Sequence, residues 1–186
     1  MPSLQYFVAS SLDGFIATAD DKLDWLLQFD GFAGGKESYD AFMADVGCIV
    51  MGGETYAWLM EHEPGSWPYP ETPCWVFTHH ELSAPGGTDI TFVRGPVGEF
   101  AADLKEEAGG RNVWIVGGGV LAAQFADAGL LDELIISIIP VVLGNGKPVL
   151  PLDGPTPPLE LISSSTMGRG IVELHYRFGG RQGGGA

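Results

Sequence analysis

Short apolar runs recur along the chain, separated by stretches whose apolar positions repeat at helical spacing. Runs at 4–9, 47–51, 73–78, 90–93, 112–116 and 133–139 are rich in Val, Ile, Phe or Trp and bounded by Gly, Pro, Asn or Asp, which predicts strands. CIVM, CWVF and VWIV are apolar throughout rather than alternating, as expected for strands of a parallel sheet covered on both faces. Helices are predicted at 37–44, with Tyr39, Phe42 and Met43 on one side, and at 54–62, with Tyr56, Leu59 and Met60. Two more are predicted at 97–108 and 120–128, each stopped by glycine. Strands alternating with helices imply an α/β layered sheet with right-handed crossovers.

The C-terminal part differs. Segments 159–166 and 171–178 flank Met167-Gly168-Arg169-Gly170, which reads as a hairpin turn. In the second segment Val172, Leu174, Tyr176 and Phe178 alternate with Glu173, His175 and Arg177, so one face is expected to be wet. The expected architecture is a three-layer α/β sandwich, a mainly parallel sheet closed by a C-terminal antiparallel hairpin. Residues 1–178 are expected to form one domain, and 179–186 a Gly-rich disordered tail.

Composition narrows the function. The 186 residues carry a formal charge of −15, and the nine Lys and Arg are scattered, which argues against a nucleic-acid or anionic-membrane surface. The longest apolar stretch, 134–143, is too short to cross a bilayer, and the N-terminus lacks a signal-peptide pattern, so a cytoplasmic protein is expected. Cys48 and Cys74 sit inside apolar runs, as buried reduced thiols do, and no Cys/His spacing suggests a metal site. Glycine is the outlier at 28 residues, about twice the usual share.

Those glycines cluster at strand ends. Val113-Trp-Ile-Val runs straight into Gly117-Gly118-Gly119 and a helix, and Cys48-Ile-Val-Met runs into Gly52-Gly53-Glu54-Thr55. Trp75-Val-Phe ends in Thr78-His79-His80. Glycine lets the backbone approach a ligand, and a helix N-terminus offers unpaired N–H groups to phosphate. Three such ends in one α/β sheet favour a shared phosphate-rich ligand beyond the strands' carboxyl ends.

Five segments, Ala9-Ser-Ser-Leu-Asp-Gly-Phe-Ile-Ala17, Leu23-Asp-Trp-Leu26, Met51-Gly-Gly-Glu-Thr-Tyr56, Val116-Gly-Gly-Gly119 and Ile139-Pro-Val-Val-Leu-Gly-Asn-Gly146, resemble the dihydrofolate-reductase-like family in matching order. The branch most similar contains the reductase domain of bacterial riboflavin biosynthesis. The resemblance spans about residues 4–178 and implies a nicotinamide-dependent reductase, with NADPH or alternatively NADH, acting on C=N or C=O of a small heterocyclic or carbonyl substrate. It further implies that Ala9, Ile16 and Trp25 lie at the nicotinamide, and that Gly52, Gly53 and Thr55 hold the pyrophosphate. Thr78 and His79 would meet the adenosine ribose, and Gly117, Gly118, Gly119, Val120 and Leu121 would cradle phosphates. A homodimer built through 134–143 and the hairpin near Gly168 is implied as well.

This chain departs from that pattern. Gly53 and Val120 stand where the family often has Arg for a 2′-phosphate, leaving Arg94, helped by His79 or His80, as the expected substitute. Val116 replaces a substrate-binding Glu of the riboflavin-pathway reductases, so their intermediate is not the expected substrate. Folate reductases place a catalytic carboxylate on the helix before the second strand; Glu37, or Asp40 one turn later, is the candidate. Asp13 reads as a structural turn cap. The other readings are a dinucleotide-binding module without turnover and a reductase using flavin or deazaflavin.

Overall fold

The computed structural model describes residues 1–63 and 65–179, so the tail expected at 179–186 lies almost wholly outside the described residues. The chain opens with β1 (Leu4–Ser11), β2 (Phe15–Ala17) and the short helix α1 (Asp24–Leu27). Next come α2 (Gly35–Ala44), β3 (Val46–Gly52), α3 (Gly53–His62), β4 (Cys74–Phe77) and β5 (Ile90–Val93). A 3-10 turn at Val97–Glu99 leads into α4 (Ala101–Glu107), where one longer helix was expected. The remaining elements are β6 (Asn112–Gly117), α5 (Gly119–Asp127), β7 (Glu133–Ile139), β8 (Lys147–Pro148), β9 (Glu160–Thr166) and β10 (Val172–Arg177).

Eight strands form one sheet in the order β5-β4-β3-β6-β1-β7-β10-β9. The first six run parallel, and β10 and β9 close the sheet antiparallel. The continuous apolar runs behave as expected: alternate residues of β3 and β6 face opposite layers. Cys48, Val50, Val113 and Ile115 pack with Leu104 of α4 and Leu121 and Phe125 of α5. Ile49, Met51 and Trp114 pack with Tyr56 of α3 and Phe42 and Met43 of α2. Cys48 and Cys74 fall in these two separate clusters, so both stay free thiols, and burial pushes the Cys48 thiol up to about 12.

A third apolar cluster gathers Trp25, Phe29, Ile139 and Ile171 at the mouth of the sheet. A small ribbon pairs β2 with β8, and sequence periodicity does not announce either strand. The wet face expected on β10 is only partly free: Arg177 is exposed, but Glu173 and His175 are half-buried, and His175 Nε2 lies 2.8 Å from Glu133 Oε2, which also accepts from Gln5 Nε2. The strand at 133–139 is likewise internal, between β1 and β10, and the exposed edge is β9.

Candidate functional site

β3 and β6 are neighbours, yet the helix after β3 covers one face of the sheet and the helix after β6 covers the other. A crevice opens where adjacent crossovers part in this way, at the carboxyl ends of the strands. Gly52 caps α3 and Gly118 caps α5, neither with a side-chain hydrogen bond, so the first N–H groups of both helices have no side-chain cap. Thr55, in the first turn of α3, joins the two ends: a Cβ on Gly117 would stand 3.2 Å from the Thr55 hydroxyl oxygen. A Cβ on Gly52 would meet nothing within 4 Å, so that strand end opens on free space.

The glycines have separate reasons. Gly118 holds φ +88, and Gly119 lies so close to β8 that a Cβ would stand 2.3 Å from the Pro148 carbonyl oxygen. Gly119 is therefore fixed by packing, and the cradle expected of it reduces to its backbone. Val120 is 66% exposed in the first turn, whereas the Leu121 side chain belongs to the core, leaving only its backbone for a ligand. Gly53 lies against Thr78, whose Oγ1 would be 2.7 Å from an added Cβ, which explains why no Arg can stand there unless Thr78 moves. The Arg94 guanidinium donates to the His79 carbonyl (2.6 Å), so Thr78, His79 and Arg94 form one rim of the crevice. Opposite, Lys147 of β8 reaches Asp21 and, at 3.4 Å, Glu54 of α3; the Asp21 carboxylate holds its ammonium above the ordinary range. Sequence reasoning passed over Lys147 because only the fold of the β2–β8 ribbon brings it to α3.

An open cavity of about 210 Å³ lies beside this crevice, between α2 and the sheet. Its walls are mostly carbon, including Phe7, Leu26, Phe32, Trp114 and Met167. Trp114 is three residues before Gly117, so roughly 10 Å of strand separates cavity from crevice. The polar part of the wall follows from register: Ala9 pairs with Ser137 and Ser137 with Glu173, a row across β1, β7 and β10. The Ser38 hydroxyl donates to the Glu173 carboxylate (2.9 and 3.0 Å to its two oxygens), and the Ser137 hydroxyl donates to Oε2 (3.1 Å).

Glu37 and Asp40 do not reach this cavity. Both are exposed, and Asp40 pairs with Lys36 on the outside of α2, whose positions toward the cavity are Gly35, Ser38 and Tyr39. Helical phase carried that signal, since Asp40 lies nearly opposite Phe42 at about 100° per residue. The carboxylate that lines the cavity is that of Glu173, on a strand whose alternation reads as solvated. Trp25 is packed in the third apolar cluster at 7% exposure, with Ala9 packed against that cluster, and its neighbour Leu26 lines the cavity. Ala9 does line the cavity, and Ile16 is half-buried on β2.

Known proteins resemble this chain. YwjB of Bacillus subtilis (strain 168), an uncharacterized protein, is 36% identical over 170 residues, 91% of this chain and 94% of YwjB. A Shewanella sp. PV-4 protein named for riboflavin biosynthesis superposes with a TM-score of 0.79 at 28% identity, over 94% of this chain and 98% of its own. The Thermotoga maritima diaminohydroxyphosphoribosylaminopyrimidine deaminase/5-amino-6-(5-phosphoribosylamino)uracil reductase matches 96% of this chain and 57% of its own, with a TM-score of 0.66; at 16% identity that likeness is one of fold. The family described as RibD C-terminal domain matches residues 2–173, which takes in the crevice, the cavity and Glu173, and this chain belongs to that family.

Proposed function

We propose that the protein is a reductase that binds NADPH along the crevice and reduces a small ring compound held in the cavity. One observation carries this reading: two helix N-termini without side-chain caps, joined by Thr55, open beside a carbon-walled cavity that holds one carboxylate. The residues fit a dinucleotide. The first N–H groups of α3 and α5, with Thr55, face the place for a pyrophosphate, where helix dipoles favour negative charge. Arg94 and Lys147 supply cations at the two rims, and Arg94 takes the 2′-phosphate in place of an Arg that Gly53 cannot be. Bound there, the reduced nicotinamide supplies a hydride for an electron-poor C=N or C=O carbon. The cavity walls exclude water and hold the ring, so rate comes mainly from alignment. At about 210 Å³ the cavity is smaller than the roughly 300–1,000 Å³ of drug-sized sites, which suits a ring rather than a chain.

The test is titration of tryptophan fluorescence with NADPH and, separately, NADH. Saturable quenching with NADPH preferred is expected; NADH preferred would mean that Arg94 does not act on the 2′-phosphate, and no response to either would sink the reading. The outward placement of Glu37 and Asp40 favours a second reading, a binding module without turnover. Oxidation of bound NADPH by any acceptor would exclude it. We also infer a homodimer through the end of the sheet formed by β7, β10 and β9.

A further inference from the structure

We propose that Glu173 selects the substrate, and that the substrate is a flat ring that presents adjacent N–H donors, and no anionic group, to Glu173. This rests on reading the cavity as the substrate's place. Ser38 and Ser137 each have one hydroxyl proton, and both protons are given to the Glu173 carboxylate. The serines are left with lone pairs only, and the carboxylate, with about four acceptor sites, receives two protons. The patch formed by Ser38, Ser137 and Glu173 is thus acceptor-only, and it reads donors.

Among the described residues no Lys, Arg or His pairs with Glu173, and none lines the cavity. A carboxylate in a mostly carbon wall without a cation is under-satisfied, and a ligand with two N–H groups on neighbouring atoms completes it in a forked pair. An anionic group placed at Glu173 would instead bring like charge against the carboxylate, with no lining cation among the described residues to neutralise it. The aromatic side chains of Phe7, Phe32 and Trp114 in the wall favour a planar ring. The Glu173 end of the cavity therefore selects against an anionic group and for amidine-like edges.

Benzamidine, benzamide and benzoate are three probes of one shape that differ in charge and donors. Their binding to the wild type, Glu173→Gln and Glu37→Gln is measured by calorimetry, with NADPH titrated in parallel. Benzamidine is expected to bind the wild type best and benzoate worst, and Glu173→Gln to weaken benzamidine about tenfold or more. Glu37→Gln, on the outside of α2, should leave it within about twofold, since a solvent-screened charge contributes little. Equal affinity of Glu173→Gln and wild type, equal binding of benzoate and benzamidine, or an equal loss in Glu37→Gln would overturn the proposal. Should Glu173→Gln not fold, nuclear Overhauser contacts from bound benzamidine to Trp114 in the wild type decide it, and their absence overturns it. NADPH binding that fails in every protein sinks the reductase reading alone, while the probe series still judges Glu173.

Discussion

Asp13 shows how one side chain sets the mouth of the site. Its carboxylate accepts from the Leu143 N–H (3.0 Å), the Gly144 N–H (2.7 Å) and the Ser11 hydroxyl (2.7 Å), tying the turn after β1 to the loop before β8. These bonds, the one from Leu143 first, hold its carboxyl below the usual carboxylate range. A lowered folded pKa means that the stabilisation is fully present above the unfolded value of about 3.9 and is lost as pH falls through the folded value. Asp13→Asn should therefore melt below the wild type at pH 7, and the gap should close as pH falls below about 4. Thermal melts of both proteins across that range check it; a gap that persists unchanged into strong acid would refute the role. The Ser11 bond was legible because a Ser-Leu-Asp-Gly turn is local chemistry, whereas the bonds from Leu143 and Gly144 were not, because they cross most of the chain. Glu173 was not, because the row that joins it to Ser137 and Ala9 depends on pairing across strands far apart in sequence.

At the scale of elements, the strand–glycine–helix units were legible, since apolar runs, glycine stops and helical spacing all lie within a few residues. The division of labour among the glycines was not. Gly119 answers to the Pro148 carbonyl, which only the β2–β8 ribbon brings near, and Gly53 answers to Thr78 at the end of the next strand. Gly118 combines a positive φ with a place at the cap of α5 in the crevice, so it separates fold from binding. Gly118→Ala should cost about 1–3 kcal/mol of stability and weaken NADPH binding. Gly129→Ala, at φ +69 after the far end of α5 with open space around it, should cost about 1–2 kcal/mol and leave NADPH binding unchanged. Denaturant melts paired with NADPH titrations read both effects. Equal loss of binding in the two variants would mean that Gly118 acts only through stability.

For the whole molecule, the helices cover β3, β4, β6 and β1 on both faces, but the sheet runs on past them. Along one face of its far end, Ile138 pairs with Val172, Ile136 with Leu174, and Leu134 with Tyr176, which in turn pairs with Leu161. Most of this row is half-buried, Leu161 is 51% exposed, and the whole of β9 is exposed. A sheet end of this kind is covered in solution when a second copy packs on it, which is the physical ground for the homodimer. Two chains of charge −15 repel, so salt should strengthen their association by screening. Sedimentation at micromolar concentration should give about twice the 19.7 kDa chain mass, with the dimer fraction rising with ionic strength. Leu174→Glu should give a folded monomer at every salt concentration, because its site is half-open in the single chain and a buried charge would be introduced only in the dimer. A wild type that sediments as a monomer in high salt would refute the interface, and a dimer that survives Leu174→Glu would move it to another surface.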